Sequence, residues 1–588
     1  MLWSIVLLNK PTPTLNSVPF RAANFSSLIE ALDYAAQGDT GANFYSGKGE
    51  LYAALGYAQL REEAIAIAQR LLGLGLEKGD RVALVAETHP DFLSLFFGCQ
   101  YAGMVPVALP IVANLSGHSA YVEHLRGLLE NCDAKIVASS PDFLTIVEEA
   151  SRNLDLRFTG DLAKLSAMPV ADVELPTIKP DDVAYIQYTS GSTCFPRGVV
   201  ITQRSVMSNL GGIVRDGLKL RESDRFLSWL PFYHDMGMVG LVLVPMASQT
   251  SVDYLETREF VKRPRMWLRL MSETGATISF SPAFGYQLCM SRLRPGQAAE
   301  YDLSRWRIAG VGAEMIRPVT LERFSRTLKD SGFNKKAFLS CYGMAEASLA
   351  ISFAPLDERP RTDWIDIEQI ARCGKAMPIN NSTPESRVKG FMLCGKPLPE
   401  YDVEIRGEQG EVLQERHCGV IYVRGQSVMS GYYNAPDKTA ETLSSDGWLD
   451  TGDLGYMLDG QLVIIGRKKD LIIINGRNIS PQDIEYVAEK QPEIRLGDAL
   501  AFAVPASDDS ETSVLVVEYR ETDTEKRTEL RERLSMQIRQ EIGVDCFVEL
   551  VPINTLPSTS SGKPSRSKAR LQFLERIKDH EEAQGAVA

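Results

Sequence analysis

No two cysteines of the 588-residue chain form a CxxC pair, and the nine present are scattered and odd in number. A disulfide framework and a cysteine-based zinc site are disfavoured, and a reducing compartment fits best. Histidine is scarce. Of six, only His118 and His124 stand close together, and no HExxH helix accompanies them, so a metal hydrolase has no ligand set. No later window holds about twenty uncharged apolar residues, so no membrane span is expected. The apolar start Met1–Leu8 has no basic residue before it and is too short to cross a bilayer; it reads as a buried first strand. Positive charge is not in excess either: 63 Lys and Arg face 76 Asp and Glu, a formal charge of −13. That argues against nucleic acid or an anionic membrane as a general partner, while leaving room for a local basic pocket. GxGxxG opening a helix after an early strand is absent, which disfavours a dehydrogenase, and so is the Walker pattern GxxxxGK[ST].

What is present is ordinary globular material, 44% hydrophobic and 24% charged, in a chain long enough for several domains. A cytoplasmic protein is the default expectation. From Asp80 onward strand and helix patterns alternate: Arg81–Ala86, the helical Pro90–Ala102, then Val105–Leu109. Further strand-like runs follow at Lys135–Ser139, Val183–Tyr188, Arg225–Trp229, Thr277–Ser281, Arg307–Val311 and Ala337–Cys341. Such alternation implies parallel sheets covered by helices, with ligands beyond the carboxyl ends of the strands.

After about Glu400 short strands with glycine-rich turns (Tyr401–Arg406, Gly419–Arg424, Gln461–Ile465) predict a small β-rich subdomain. Arg467–Asp470 is a dense charge cluster, read either as an ordinary charged turn or as a hinge. The expected organisation is α/β: a large N-terminal domain over 1–466 with parallel-sheet subdomains, a hinge at 467–470, and a small mobile α+β domain over 471–588.

The most informative run is YTSGSTCFPRGVV at Tyr188–Val200, directly after an apolar strand. Hydroxyls at Thr189, Ser190, Ser192 and Thr193 surround Gly191, so backbone N–H groups and hydroxyl donors could cradle an anion. A plain linker or turn is the competing reading. Four further segments accompany it: WLPFYHDMG at Trp229–Gly237, CYGMAEA at Cys341–Ala347, GWLDTGDLG at Gly447–Gly455, and a late Ser561–Gly562–Lys563.

Taken in order, over roughly Phe25 to Leu574, these segments resemble the adenylate-forming superfamily of acyl-CoA ligases, luciferases and nonribosomal adenylation domains. The resemblance implies that a substrate carboxylate attacks the α-phosphate of ATP and pyrophosphate leaves. Cationic and dipolar groups must then neutralise two anions, and no Ser-His-Asp set is needed. By match to the family motifs, Thr189, Ser190, Gly191, Ser192 and Thr193 would hold the β- and γ-phosphates. Glu346, with Thr189, would help bind Mg²⁺, a hard cation that takes oxygen ligands. Tyr342 would stack on adenine, with Gly343, Met344, Ala345 and Gly312–Ala313–Glu314 lining the same pocket. Asp453 would accept from the ribose hydroxyls, and Arg467 would add a ribose or phosphate contact. Lys563 would reach in to the carboxylate and α-phosphate. His234, Asp235 and Gly237 would stand beside the acyl pocket. Each has a plainer alternative: a helix-start acid at Glu346, a turn residue at Asp453, a solvated lysine at Lys563, a satisfied structural histidine at His234.

Two departures from the general pattern narrow the branch. Cys194 and Arg197 replace the second glycine and the lysine of the usual TSG[ST]TGxPKG, and arginine is not interchangeable with lysine. Glu346 also stands 49 positions before Gly395, a gap that is shorter in acyl-CoA ligases. The extra segment, about 356–387, is either a variable surface loop or a mark of the fatty acyl-AMP ligases. In that branch it packs on the small domain, disfavours the rotation that builds the coenzyme A site, and leaves the acyl-adenylate for an acyl carrier protein. The resemblance therefore implies activation of a medium-to-long-chain fatty acid. A fatty acyl-CoA ligase is the alternative, and a catalytically silent acyl- or nucleotide-binding module a second one. The stretches Leu230–Val244 and Phe280–Leu288 could line an apolar tunnel or serve as ordinary core. Lys526, Arg527, Arg531 and Arg533 are a candidate face for an acidic carrier, or only a solvated helix face.

Overall fold

The structure is a computed structural model that describes residues 10–111, 118–189, 196–474, 477–495, 497–505, 511–557 and 565–585. The strand expected at Met1–Leu8 lies outside them. No helix among the described residues is long and apolar enough to cross a membrane.

Two large sheets carry the N-terminal part. The first has seven strands, of which five are mutually parallel: Val183–Tyr188, Val105–Leu109, Arg81–Val85, Ala134–Ala138 and Phe158–Gly160. The antiparallel strands Gly198–Thr202 and Gly431–Tyr432 close one edge. The second sheet has nine strands. Its parallel centre runs Phe338–Gly343, Ile308–Val311, Ile278–Ser281, Phe226–Ser228, Val252–Leu255 and Gly41–Tyr45. Antiparallel strands flank it on both sides. The helix Pro90–Ala102 shows why the alternation was legible. His89 Nδ1 accepts from the Asp91 N–H at 3.2 Å, Pro90 fills the first helical position, and Gly103 ends the helix at φ 67°. It is buried from Phe92 to Ala102, as an all-round apolar sequence requires.

One core spans both sheets. Val82, Leu84 and Tyr185 of the first join Phe226, Ile278 and Val311 of the second. At about 1.5–3 kcal/mol per buried large side chain, such a shared core holds the two sheets as one body. The stretches Leu230–Val244 and Phe280–Leu288 supply many of its side chains, including Phe232, Val239 and Tyr286.

A four-stranded antiparallel sheet follows, in the order Tyr401–Arg406, Gly419–Gly425, Leu449–Leu458, Gln461–Arg467. The extra segment is a folded hairpin. Thr362–Asp366 pairs antiparallel with Val388–Met392, with the short helix Ile367–Cys373 between them. The hairpin's second strand runs past residue 387 because it completes the pairing begun at Thr362. Ile365 and Phe391 bury against Tyr456 and Val463 of the four-stranded sheet. The C-terminal part has cores of its own, in which Ala501, Leu515 and Val548 of one three-stranded sheet meet Ile484 and Leu534 of two helices. The fold is α/β, large N-terminal and small C-terminal.

Candidate active site

The predicted nucleotide residues gather where strands of both large sheets end. Thr189 follows Val183–Tyr188 of the first sheet. Gly312 follows Ile308–Val311, and Met344–Glu346 follows Phe338–Gly343, in the second. The four-stranded sheet reaches the same place with Asp453 and Arg467, which are a registered pair on adjacent strands.

Asp453 is 5% exposed and fully engaged. Tyr342 Oη donates to its Oδ2 at 2.7 Å, Arg467 Nε donates to its Oδ1 at 3.0 Å, and its own N–H donates to Thr451 Oγ1 at 3.1 Å. Burial, and then the Asp453 charge, push the Tyr342 phenol well above its ordinary range, so it remains a donor. Arg467 stays half exposed, its guanidinium open to a ligand.

Glu346 lies in a single helical turn, Ala345–Ala347. Loss of hydration raises its carboxyl, while its hydrogen bonds and the Arg467 charge oppose that and Asp235 adds to it. Tyr432 Oη donates to Glu346 Oε1 at 2.8 Å, and the Arg197 guanidinium stands over the Tyr432 ring at 5.3 Å. Arg197 in turn accepts from the Thr189 N–H through its carbonyl at 2.9 Å, which ties the start of the phosphate loop to this group. Lys469 completes the cationic side. Its ammonium is pushed down by loss of hydration, then by the nearby Arg467, with Arg197 adding and Asp470 and Asp453 opposing. Arg197, Arg467 and Lys469 here meet Asp453, Asp470 and Glu346, a mixed-charge site whose cations can face a polyphosphate.

The Gly343 backbone lies so close to the Leu349 carbonyl that a β-carbon would collide with it. Met344 N–H donates to that carbonyl at 2.8 Å, fixing the turn before Glu346. Ala313 takes a left-handed conformation, φ 65°. Glu314 Oε1 accepts from the Phe284 N–H at 2.8 Å, satisfying a free donor in the first turn of the helix Ala283–Arg292. On the acyl side His234 Nδ1 lies 2.6 Å from Asp235 Oδ1, which also accepts from the Met236 N–H at 2.7 Å. Gly237 meets the Pro231 carbonyl too closely for any side chain. The strand carrying Thr189 reaches this loop, since Gln187 Nε2 donates to the Tyr233 carbonyl.

Ser190, Gly191, Ser192, Thr193 and Lys563 lie outside the described residues. Of the basic cluster on the helix Thr524–Glu541, Lys526 pairs with Glu521, Arg533 with Glu493, and Arg527 donates to two backbone carbonyls. Most of that face is spent within its own domain. Sequence reasoning missed Tyr432 and gave Lys469 no role. Tyr432 carries no motif and is found only through its contact with Glu346; Lys469 stood in the singled-out 467–470 cluster.

The architecture is that of an adenylate-forming ligase, and the comparisons place the chain more closely. The profile of the AMP-binding enzyme family matches residues 33–433. A Caulobacter vibrioides protein provisionally named acyl-CoA synthetase is 46% identical, over 96% of this chain and 98% of its own. The medium-chain-fatty-acid–[acyl-carrier-protein] ligase JamA of Moorena producens is 31% identical, over 96% and 98%. A solved structure from a study of fatty acyl-adenylate ligases of E. coli and L. pneumophila superposes with a TM-score of 0.91 at 45% identity, covering 95% of this chain and 100% of that one. The chain belongs to the AMP-binding enzyme family, in its fatty acyl-AMP ligase branch.

Proposed function

We propose that this protein activates a medium-to-long-chain fatty acid with ATP, releases pyrophosphate, and passes the acyl-adenylate to an acyl carrier protein. One observation carries the reading: Tyr342, Asp453 and Arg467 form one hydrogen-bonded group and Tyr432 and Glu346 another at the joint strand ends, and the Arg467 charge acts on Glu346. A carboxylate oxygen bonds to the α-phosphorus, the bond from that phosphorus to the bridging oxygen breaks, and its electrons leave with pyrophosphate. Arg467 and Lys469 would neutralise the phosphates, Asp453 would take the ribose hydroxyls, and the Tyr342 ring would carry the adenine. The carrier step rests on the relatives JamA and TtuA, whose names describe acyl-carrier-protein ligases.

Mg²⁺ fits the donor set. Glu346 offers a carboxylate with Oε2 beside the one that Tyr432 holds, and Thr189 offers a hydroxyl. Among the described residues no group of three or more His, Cys, Asp or Glu could hold a metal, which suits an ion that binds through one or two carboxylates plus phosphates and water. When bound it would supply charge neutralisation at the phosphates.

We further propose that 467–470 is a hinge and that the domain beyond it brings Lys563 to the α-phosphate. Arg566, three residues on, pairs with Glu485 at 2.6 Å and lies 3.8 Å from Asp470, which holds this segment beside the hinge.

The test is a labelled long-chain fatty acid with ATP and Mg²⁺, with and without coenzyme A. Acyl-AMP that persists beside coenzyme A supports the reading. Conversion to acyl-CoA replaces it with the acyl-CoA synthetase reading that the Caulobacter relative's name carries. Lys563→Ala should lose acyl-adenylate formation with its fold intact; unchanged single-turnover formation removes Lys563 from the mechanism.

A further inference from the structure

We propose a second anion site, for a small phosphate-bearing molecule, at the end of the nine-stranded sheet opposite the nucleotide residues. A cavity of about 360 Å³ opens there, within the size range of small-ligand sites. Trp306, 2% exposed, lies beneath it. So does the Arg307–Asp224 ion pair, in which Asp224 also accepts from Thr277 Oγ1 at 2.8 Å. That acid is committed within the fold.

The rim differs. Arg221, Arg305 and Lys336 line it, all exposed, and among the described residues no hydrogen bond or ion pair holds their side chains. Asp302, the acid nearest Arg305 in sequence, accepts from the Ser304 N–H at 3.0 Å and hydroxyl at 2.6 Å, and the Arg305 charge also reaches it. Asn334 Oδ1 accepts from the Lys336 N–H at 3.0 Å, leaving its amide N–H₂ as a further donor. Asp357 is the one acid lining the rim. Three cations with no hydrogen bond or ion pair among the described residues, against Asp357 and the neighbouring Asp302, leave a local excess of positive charge in a chain of net −13. Its complement is an anion rich in acceptor oxygens. Two guanidinium forks favour phosphate, and a concave wall concentrates their field.

This is not the nucleotide site from another side. Arg307 immediately precedes the strand Ile308–Val311 and Gly312 immediately follows it. Five residue steps at about 3.3 Å each set Arg307 and Gly312 roughly 17 Å apart along that strand. The same holds for Phe338–Gly343, which has Ala337 of the cavity at one end and Met344–Glu346 at the other.

The test is calorimetric titration of the full chain at low ionic strength, where screening is weakest. The probes are inorganic phosphate and glycerol 3-phosphate, with the nucleotide site, its β- and γ-phosphate loop included, filled by a non-hydrolysable ATP analogue. One equivalent of probe should bind, roughly tenfold or more weakly in R221Q/R305Q/K336Q, since each charge-assisted hydrogen bond contributes at least a factor of that order. Tighter binding of glycerol 3-phosphate assigns the site to an organic phosphate ester; equal binding assigns it to phosphate itself. Failure of both probes to bind, or an unchanged affinity in the triple variant, overturns the proposal. If the triple variant loses its ellipticity, R305Q and K336Q singly decide: weaker binding in both supports the site, and unchanged binding in both overturns it. None of these outcomes depends on whether the chain forms acyl-adenylate.

Discussion

Arg467 reaches across a registered strand pair to hold one oxygen of Asp453 at 3.0 Å, while Tyr342 holds the other at 2.7 Å. The carboxylate is thus oriented before any nucleotide arrives. Asp453→Ala would leave the Tyr342 hydroxyl and Arg467 without their shared acceptor and would remove the proposed ribose contact. Hydrogen bonds to a charged group contribute about 1.5–3 kcal/mol each, so the ATP KM should rise roughly ten- to a hundredfold. Tyr342→Phe keeps the ring and should cost much less. ATP–pyrophosphate exchange measures both, and an unchanged KM in Asp453→Ala would remove Asp453 from nucleotide binding.

The Tyr432–Glu346 contact gives a pH prediction. Burial raises the Glu346 carboxyl, and the hydroxyl of Tyr432 lowers it again by stabilising the carboxylate. The Tyr432 phenol is itself raised by burial and stays protonated at working pH. In Tyr432→Phe the opposing hydrogen bond is gone, so the carboxyl takes its proton at a higher pH than before. If the reaction needs the Glu346 carboxylate, the acid limb of the kcat/KM profile must move toward higher pH, with the alkaline limb unmoved. A profile scaled down without displacement would assign Tyr432 a purely structural place.

These two contacts also show what the sequence could and could not say. Strands such as Val105–Leu109 and Val183–Tyr188 were legible to the residue because a buried parallel strand is a short, uninterrupted apolar run with turn residues at each end. The same signal located Thr189 at a strand end, whereas Glu346 was found through its motif. The antiparallel edges were not legible. Gly431–Tyr432 is a two-residue strand with no period to read, yet it places Tyr432 on Glu346. Contacts between residues 86 positions apart in the chain depend on the packed sheet order, which local pattern does not encode.

The helix Pro481–Glu489 is held from the large domain at two points. Lys389, on the second strand of the inserted hairpin, pairs with Asp483, and Arg317 pairs with Glu489 while its guanidinium stands 5.4 Å from the Tyr486 ring centroid. All four charged side chains are partly or largely shielded, and each pair contributes about 1 kcal/mol or less. Together they could bias the domain pose by roughly tenfold. R317A/K389A should therefore raise coenzyme A ligation, high salt should act in the same direction on the parent protein, and deletion of 356–387 should do so more strongly. If a folded deletion variant makes no acyl-CoA, restraint of the domain is not what withholds coenzyme A chemistry.

The last prediction concerns the fold beneath the site. Arg225 and Asp253 are 3% and 0% exposed at the side chain and joined through two hydrogen bonds of 2.6 Å. Asn43 Nδ2 also donates to Asp253 Oδ1 at 2.8 Å, and Arg225 donates to the Thr12 carbonyl at 2.9 Å. The cluster ties the N-terminal segment to two strands of the nine-stranded sheet and to Arg225, just before a third. Removing one partner of a buried ion pair strands the other charge in a dry interior, at a cost of about 3–5 kcal/mol. Asp253→Ala should show that loss in urea unfolding of the large domain. R225M/D253L, which removes both charges and keeps the volume, should be less destabilised than Asp253→Ala, because no unpaired charge remains. If the double variant loses as much as the two single losses combined, the charges are uncoupled and the cluster acts only through packing.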